Sequence, residues 1–184
     1  IVGGFREKKG ISYALAALGK LKQEFQNFEV TVIGDARSRN EQHEKQKIIR
    51  IIKKMQMEKH IKLLGLQPYN VTLRALYDHH IFLSPSITGS DGDTEGGAPV
   101  TIIEAAASGM PVISTRHCDI PNVLGKINAN LLVQEKDVEG LTNAIKLLMQ
   151  MDWGIIAENN RSYIEENHNI KILANLMEKI YHSL

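Results

Sequence analysis

Along the chain, short apolar runs rich in β-branched residues alternate with longer stretches in which apolar positions recur every three or four residues. The short runs are 28–34 (FEVTVIG), 61–65 (IKLLG), 80–86 (HIFLSPS), 111–115 (PVIST) and 130–133 (NLLV). Their length and composition predict strands. Between them, residues 11–25 bring Ile11, Leu15, Leu18 and Leu21 near one helical face, and residues 40–56 do so with Ile48, Ile49, Ile51, Ile52 and Met55. Further helices are predicted over 71–78, 99–109 and 137–150, with more helix in the last thirty residues. Strands alternating with helices predict a parallel sheet covered on both faces, a doubly wound, Rossmann-like α/β fold. No internal repeat, low-complexity segment or Pro-rich linker divides residues 1–184, which therefore read as a single domain. The opening IVGGF reads as the interior of a strand entered without a preceding turn, so we expect it to be cut from a longer protein.

Composition narrows the function classes. The chain has 184 residues, 43% hydrophobic and 23% charged, ordinary for a globular domain with a real core. Lys and Arg number 22 against 21 Asp and Glu, so no global field favours nucleic acid or an anionic membrane, and any bound anion must be met locally. The single cysteine, Cys118, excludes an intrachain disulfide and fits a reducing, cytoplasmic setting. No apolar run has the length of a membrane span, and no signal peptide is visible.

In an open α/β sheet, ligands lie beyond the carboxyl ends of the strands, so the loops there carry the candidate chemistry. They read GGFREKKG, GDARSRN, GLQPYN, PSITGSDGDTEGGAP and TRHCDIPN. The fourth is the longest and is rich in Gly, Asp and Ser, a composition typical of functional loops. Within it, Pro99 suits the first position of a helix. Gly96 and Gly97 allow backbone amides to approach a ligand closely, and free amides near Val100 and Thr101 add the positive end of the helix dipole. The result suits a phosphate. Glu95, at its mouth, can accept hydrogen bonds from hydroxyls, and Glu104, a turn and a half into the helix, can accept a pair from a vicinal diol such as that of ribose. A helix glutamate is usually solvated and a Gly-Gly pair is usually a simple turn. Yet TIIEAAASG is too apolar for a surface face, so Glu104 is expected to have a partner.

Other polar residues read as structural. Lys8 is expected to be solvated, and the His79-His80 doublet to cap a helix end, since a His pair without further spaced ligands is a poor metal signal. Cys118 beside His117 lacks an evident third group to orient it as a nucleophile. No Gly-x-Gly-x-x-Gly follows a strand, which argues against a dinucleotide-dependent oxidoreductase.

The segment EGGAPVTIIEAAASGMPVIST followed by DIPNVL, with GGFREKKG, KLLG and LRALYDHHIFLSPS ahead of it, resembles the C-terminal, nucleotide-sugar-binding half of retaining glycosyltransferases of family 4 (group 1). The resemblance runs over essentially the whole chain and implies half of a GT-B fold. It implies that Glu95 binds donor-sugar hydroxyls and that Glu104 holds the ribose hydroxyls. The amides of Gly96, Gly97 and Ala98 would lie against the sugar and diphosphate, and the loop from Leu64 to Pro68 would pass near the base. Lys9 would bind the diphosphate and stabilise the charge that develops as the glycosidic bond breaks. The chain departs from the pattern twice. The family usually places Arg where this chain has Gly4, and Arg6 is expected to substitute if the strand continues to it. The two glutamates lie nine positions apart, one more than usual, so Glu95 could be displaced in favour of Asp93 or Thr94.

The resemblance further implies transfer of a hexose from a nucleotide diphosphate sugar, of the UDP, GDP or ADP type, to a sugar or lipid-linked acceptor, with no metal and no other cofactor. The expected setting is bacterial surface polysaccharide synthesis at the cytoplasmic face of the membrane, with any peripheral membrane contact made by an acceptor-binding N-terminal domain absent here. The isolated domain should then catalyse little. A nucleotide-sugar epimerase of the same fold, or an inactive nucleotide- or partner-binding domain, stays open as an alternative.

Overall fold

The computed structural model describes residues 1–127 and 131–183. An opening segment and a 3-10 turn (Glu7–Lys9) lead into α1 (Ile11–Leu21), β1 (Val30–Ile33), α2 (Arg39–Lys54), β2 (Ile61–Gly65) and α3 (Tyr69–Tyr77). The second half runs through β3 (Phe82–Ser84), α4 (Val100–Ala107), β4 (Val112–Thr115), α5 (Ile120–Leu124), β5 (Leu132–Val133), α6 (Val138–Leu148), α7 (Trp153–His168) and α8 (Ile170–His182). The strand expected over 130–133 is seen as β5; Asn130 lies outside the described residues.

The named strands pair in parallel, β1 with β2 and β3 with β4 with β5, in registers such as Val30 with Ile61, Phe82 with Val112 and Ser114 with Leu132. The opening residues add to β1. Val2 bridges Ile33 in parallel, Ile33 N–H donates to Ile1 O, and Gly3 N–H donates to Ile33 O. Gly34 permits this approach, because a Cβ there would stand 1.9 Å from Gly3 O. Helices cover both faces, and two cores result. One gathers Phe5, Leu15, Leu18, Val32, Ile48, Ile113, Leu141 and Leu148; the other gathers Leu76, Phe82, Ile102, Ala105, Val112, Ile120 and Ile164. This is the doubly wound α/β arrangement that the alternation predicts.

Local chemistry sets the helix ends. Ser38 and Glu41 form a reciprocal capping box at the start of α2, and Asp137, Asp152 and Asn169 cap α6, α7 and α8. α1 ends at Leu21, short of residue 25, where Lys22 turns its ammonium onto Gln56 O (2.6 Å). α4 starts at Val100, one residue later than expected. Pro99 is the cap residue, still extended at ψ 133°, rather than the first helical one. The loop expected at TRHCDIPN is half helical, because Ile120 and Leu124 bury completely and draw α5 onto the second core. α8 buries none of its residues, and Leu173, Leu176, Met177 and Ile180 are exposed. Among the described residues no helix is long and apolar enough to cross a membrane.

Gly10 joins the 3-10 turn to α1 in a left-handed conformation (φ 61°), and a Cβ there would stand 1.8 Å from Pro85 O. Gly92 is also left-handed (φ 81°) but has open space around it. Gly10→Ala should therefore cost more than about 3 kcal/mol, and Gly92→Ala only the roughly 1–2 kcal/mol of a left-handed alanine. Urea unfolding of the two variants measures both. Equal costs would mean that Pro85 yields freely.

Candidate functional site

Because the strands are parallel, the loops after them gather at one edge of the sheet. The extended opening stops at Gly3. Arg6 N–H turns back onto Gly4 O (2.8 Å), and Phe5, buried, donates its N–H to Asp35 O. Arg6 thus does not reach the site along a continuing strand, as the sequence led us to expect; it enters from the turn that follows.

That turn faces the long polar loop and grips it. The Arg6 guanidinium lies 2.7 Å from Asp93 Oδ2, and Lys8 Nζ lies 3.0 Å from Asp93 Oδ1 and 2.7 Å from Thr94 O. Ile87 N–H donates to Lys8 O (2.8 Å), and the Ser90 N–H and hydroxyl both donate to Glu7 Oε2, at 2.9 and 2.5 Å. The Lys8 side chain, expected in solvent, is 11% exposed, and Asp93 and the Thr94 carbonyl accept hydrogen bonds from its ammonium.

Two loop residues further on, the Glu95 side chain is only 7% exposed and meets Lys9 Nζ at 2.9 Å. Ser86 Oγ donates to Glu95 Oε1 (2.9 Å). Asp93 serves Arg6 and Lys8, Glu95 serves Lys9, and the next residue, the exposed left-handed Gly96 (φ 74°), lets the chain turn back toward α4. A Cβ at Gly96 or Gly97 would meet nothing within 4 Å. Among the described residues, the amides of Gly97 and Ala98 donate no hydrogen bond.

Glu104 has the expected partner. Tyr69, the first residue of α3, donates its hydroxyl to Glu104 Oε1 (2.7 Å), and the bond raises the tyrosine's pKa. This contact ties α4 to the end of the Leu64–Pro68 loop, where Leu64 is exposed and its carbonyl accepts from Gln67 (2.6 Å). Lys9 and Glu95 are thus brought together, whereas Glu104 pairs with Tyr69 in a second group, and Leu64 bonds through its carbonyl to Gln67. At Gly4 a Cβ would meet only Asp35 O, at 3.8 Å, so nothing in the fold demands glycine there.

Four partners were not anticipated. His117 is buried and accepts the Glu95 N–H on Nε2 (3.1 Å), while its Nδ1 lies 2.6 Å from Glu135. Glu135 is thus the third group that the Cys118-His117 pair lacked in the sequence. Cys118 Sγ is 3.1 Å from the same Nε2, but Glu95 N–H already occupies that nitrogen, so the ring is not a free base for the thiol. Glu135 follows the shortest strand, and position alone could have flagged it. Ser86 and Tyr69 carry no distinctive spacing. His79 caps α3 as expected, with Nδ1 2.6 Å from Ala75 O. Among the described residues no group of three His, Cys, Asp or Glu is placed to hold a metal ion.

The fold is that of the Rossmann-like C-terminal half of GT-B glycosyltransferases. In structure the chain is similar to Anabaena Alr3699/HepE in complex with UDP, with a TM-score of 0.85, 18% identity, and cover of 100% of this chain and 48% of that one. It is also similar to the C-terminal domain of a glycosyl transferase group 1 family protein, LpcC, from Francisella tularensis (TM-score 0.77, 21% identity, 92% of this chain and 85% of that one). In sequence it is 32% identical to the amylovoran biosynthesis glycosyltransferase AmsK of Erwinia amylovora, over 97% of this chain and 44% of the relative. The chain belongs to the family of glycosyl transferases group 1, whose family model matches residues 1–170. It spans less than half the length of the curated relatives it matches.

Three carboxylates at and around the loop, Glu7, Asp93 and Glu135, are favoured in their charged forms. Ser90 lowers the Glu7 pKa, and Lys8, with Arg6, lowers that of Asp93. Burial pushes Glu135 up, but the Thr88 N–H and His117 outweigh it and leave it lowered. A carboxylate whose folded pKa lies below its unfolded one adds stability above the unfolded value and loses it as pH falls through the folded value. Acid should therefore release the loop. The amides of Thr88 and Ser90, which donate to Glu135 and Glu7, should lose hydrogen-exchange protection as pH falls below about 4, while those of β4 keep theirs. Simultaneous loss across β4 would show global acid unfolding instead.

Proposed function

We propose that residues 1–184 form the donor-binding domain of a retaining, metal-independent glycosyltransferase of family 4, which moves a hexose from a nucleotide diphosphate sugar to an acceptor. The observation that carries this reading is the Lys9–Glu95 pair: a cation and a carboxylate 2.9 Å apart at the carboxyl edge of a parallel sheet, 86 positions apart in the chain. Beside it lie the undonated amides of Gly97 and Ala98 and the start of α4.

The chemistry follows from what each group can donate or accept. Lys9 offers ammonium protons to the diphosphate and stabilises the negative charge that grows on the departing phosphate oxygen. That cation supplies the charge compensation a divalent ion would otherwise give. Glu95 can only accept, so it takes hydroxyl protons of the sugar. Gly96 and Gly97 leave space for the sugar and diphosphate to meet the backbone, where the Ala98 amide is also undonated. Glu104 keeps one carboxylate oxygen beyond the one held by Tyr69 and accepts the ribose hydroxyls. The base then lies toward Leu64 and Tyr69. Where the family resemblance places Arg at Gly4, the nearest replacement cation is Arg6, seated on Asp93.

A separate domain binds the sugar or lipid-linked acceptor, so residues 1–184 alone bind donor and transfer little. The relative named for amylovoran biosynthesis supports a role in bacterial surface polysaccharide assembly at the cytoplasmic membrane face, and the neighbour crystallised with UDP supports a nucleotide diphosphate donor.

Calorimetric titration with UDP, GDP and ADP tests the reading. One nucleotide should bind, and Glu104→Ala should weaken it by about 1.5–3 kcal/mol, the value of a hydrogen bond to a charged group. Lys9→Ala should weaken the diphosphate more than the corresponding nucleoside. Unchanged affinity in Glu104→Ala would sink the ribose assignment.

A further inference from the structure

Glu95 is held twice, once through its carboxylate and once through its backbone. The carboxylate meets Lys9 and Ser86. The backbone contact is of another kind. Glu95 N–H donates to His117 Nε2 (3.1 Å), and His117 stands just past the end of β4. From Glu95 to Ala98, this is the one backbone hydrogen bond to another segment among the described residues; Gly96 N–H returns only to the neighbouring Thr94 hydroxyl. The backbone of this stretch is therefore tied to another segment by one imidazole, while the Glu95 carboxylate is held by Lys9 and Ser86.

The ring's own state is set by its neighbours. A backbone N–H can only donate, so Nε2 is bare and the ring proton sits on Nδ1. There Glu135 Oε1 accepts it at 2.6 Å. Glu135 is itself fixed by Thr88 N–H (2.8 Å) and by the Thr88 hydroxyl (3.4 Å). The Cys118 thiol, 3.1 Å from Nε2, can approach that nitrogen only as a second donor. With the ring 1% exposed, water does not compete. Three loops, those after β3, β4 and β5, are joined through this ring.

We infer that His117, oriented by Glu135, is a positioning residue that sets where the Glu95 carboxylate stands and thereby which sugar the donor site accepts. The inference rests on the donor-binding reading given above. Neither side chain need touch the sugar. A shift of the Glu95 backbone moves the acceptor of the sugar hydroxyls while leaving Glu104 and Tyr69 in place, so recognition of the sugar and of the nucleoside should separate.

The test uses the intact protein as wild type, His117→Ala, His117→Gln and Glu135→Gln, titrated with UDP, GDP and ADP and with UDP-glucose, GDP-mannose and ADP-glucose. His117→Ala should bind the bare nucleotide within about twofold of wild type and its sugar conjugate roughly tenfold more weakly. His117→Gln presents an amide oxygen near the position of Nε2 and should recover part of that loss. Glu135→Gln should shift the same ligand in the same direction. Equal losses for nucleotide and conjugate, or no loss for either, would overturn the positioning role. Absence of all binding by the wild type would instead overturn the donor reading beneath it. Long-range proton–nitrogen correlation on wild type gives a check that needs no ligand, since a proton found on Nε2 overturns the proposal outright.

Discussion

The structure around the site depends on one electrostatic grip, in which the charged turn from Arg6 to Lys9 holds the polar loop between Ser86 and Glu95 over the strand ends. Apart from Ile87, which is fully buried, the loop is built from Gly, Ser, Asp, Thr and Glu and has little apolar surface of its own to bury. Its order must come from directed bonds. These bonds are unequal. Arg6 and Asp93 are 47% and 36% exposed, and such a pair contributes little in water. Lys9 and Glu95 are 22% and 7% exposed, so breaking that pair leaves a charge largely cut off from solvent. The outer contacts give the loop its direction, and the inner one makes departure costly.

The inner pair also sets two opposite charges side by side at the carboxyl edge of the sheet. Each of Lys9 and Glu95 neutralises the other, and Ser86 and His117 supply further bonds to the glutamate. Both side chains are thereby kept in place. The second group, Glu104 with Tyr69, is organised independently. The two carboxylates share no partner, which lets the two ends of a ligand be read by separate parts of the fold.

The alternation of strand and helix was legible in the sequence because the strands are buried on both faces and read as plain apolar runs. Glu95, Glu104 and Lys9 were legible as candidates through their loops and their family resemblance. What escaped notice were partners supplied by folding. Lys8 looks like any lysine until Asp93, 85 positions away, neutralises it. His117 and Cys118 look like an incomplete pair until Glu135 arrives from the next loop. The expected path of Arg6 failed for a local reason: the strand needed to carry it ends at Gly3, and the following residues turn back on themselves. The start of α4 was misplaced by one residue, because a proline can serve as the cap residue as well as the first residue of a helix.

The grip also bears on the order in which the molecule is made. Its bonds join residues separated by 79 to 87 positions, and the brace on Glu95 needs Glu135 as well. Helices such as α1 and α2 can form from near neighbours, but closing loops of that length comes with a larger entropic penalty and belongs to the late stages of folding. On the ribosome, Lys9 emerges long before its carboxylate exists, and the imidazole waits for an acid not yet synthesised. A nascent or half-unfolded chain can therefore hold much of its secondary structure and still have no site, which makes ligand capture a property of the finished molecule alone.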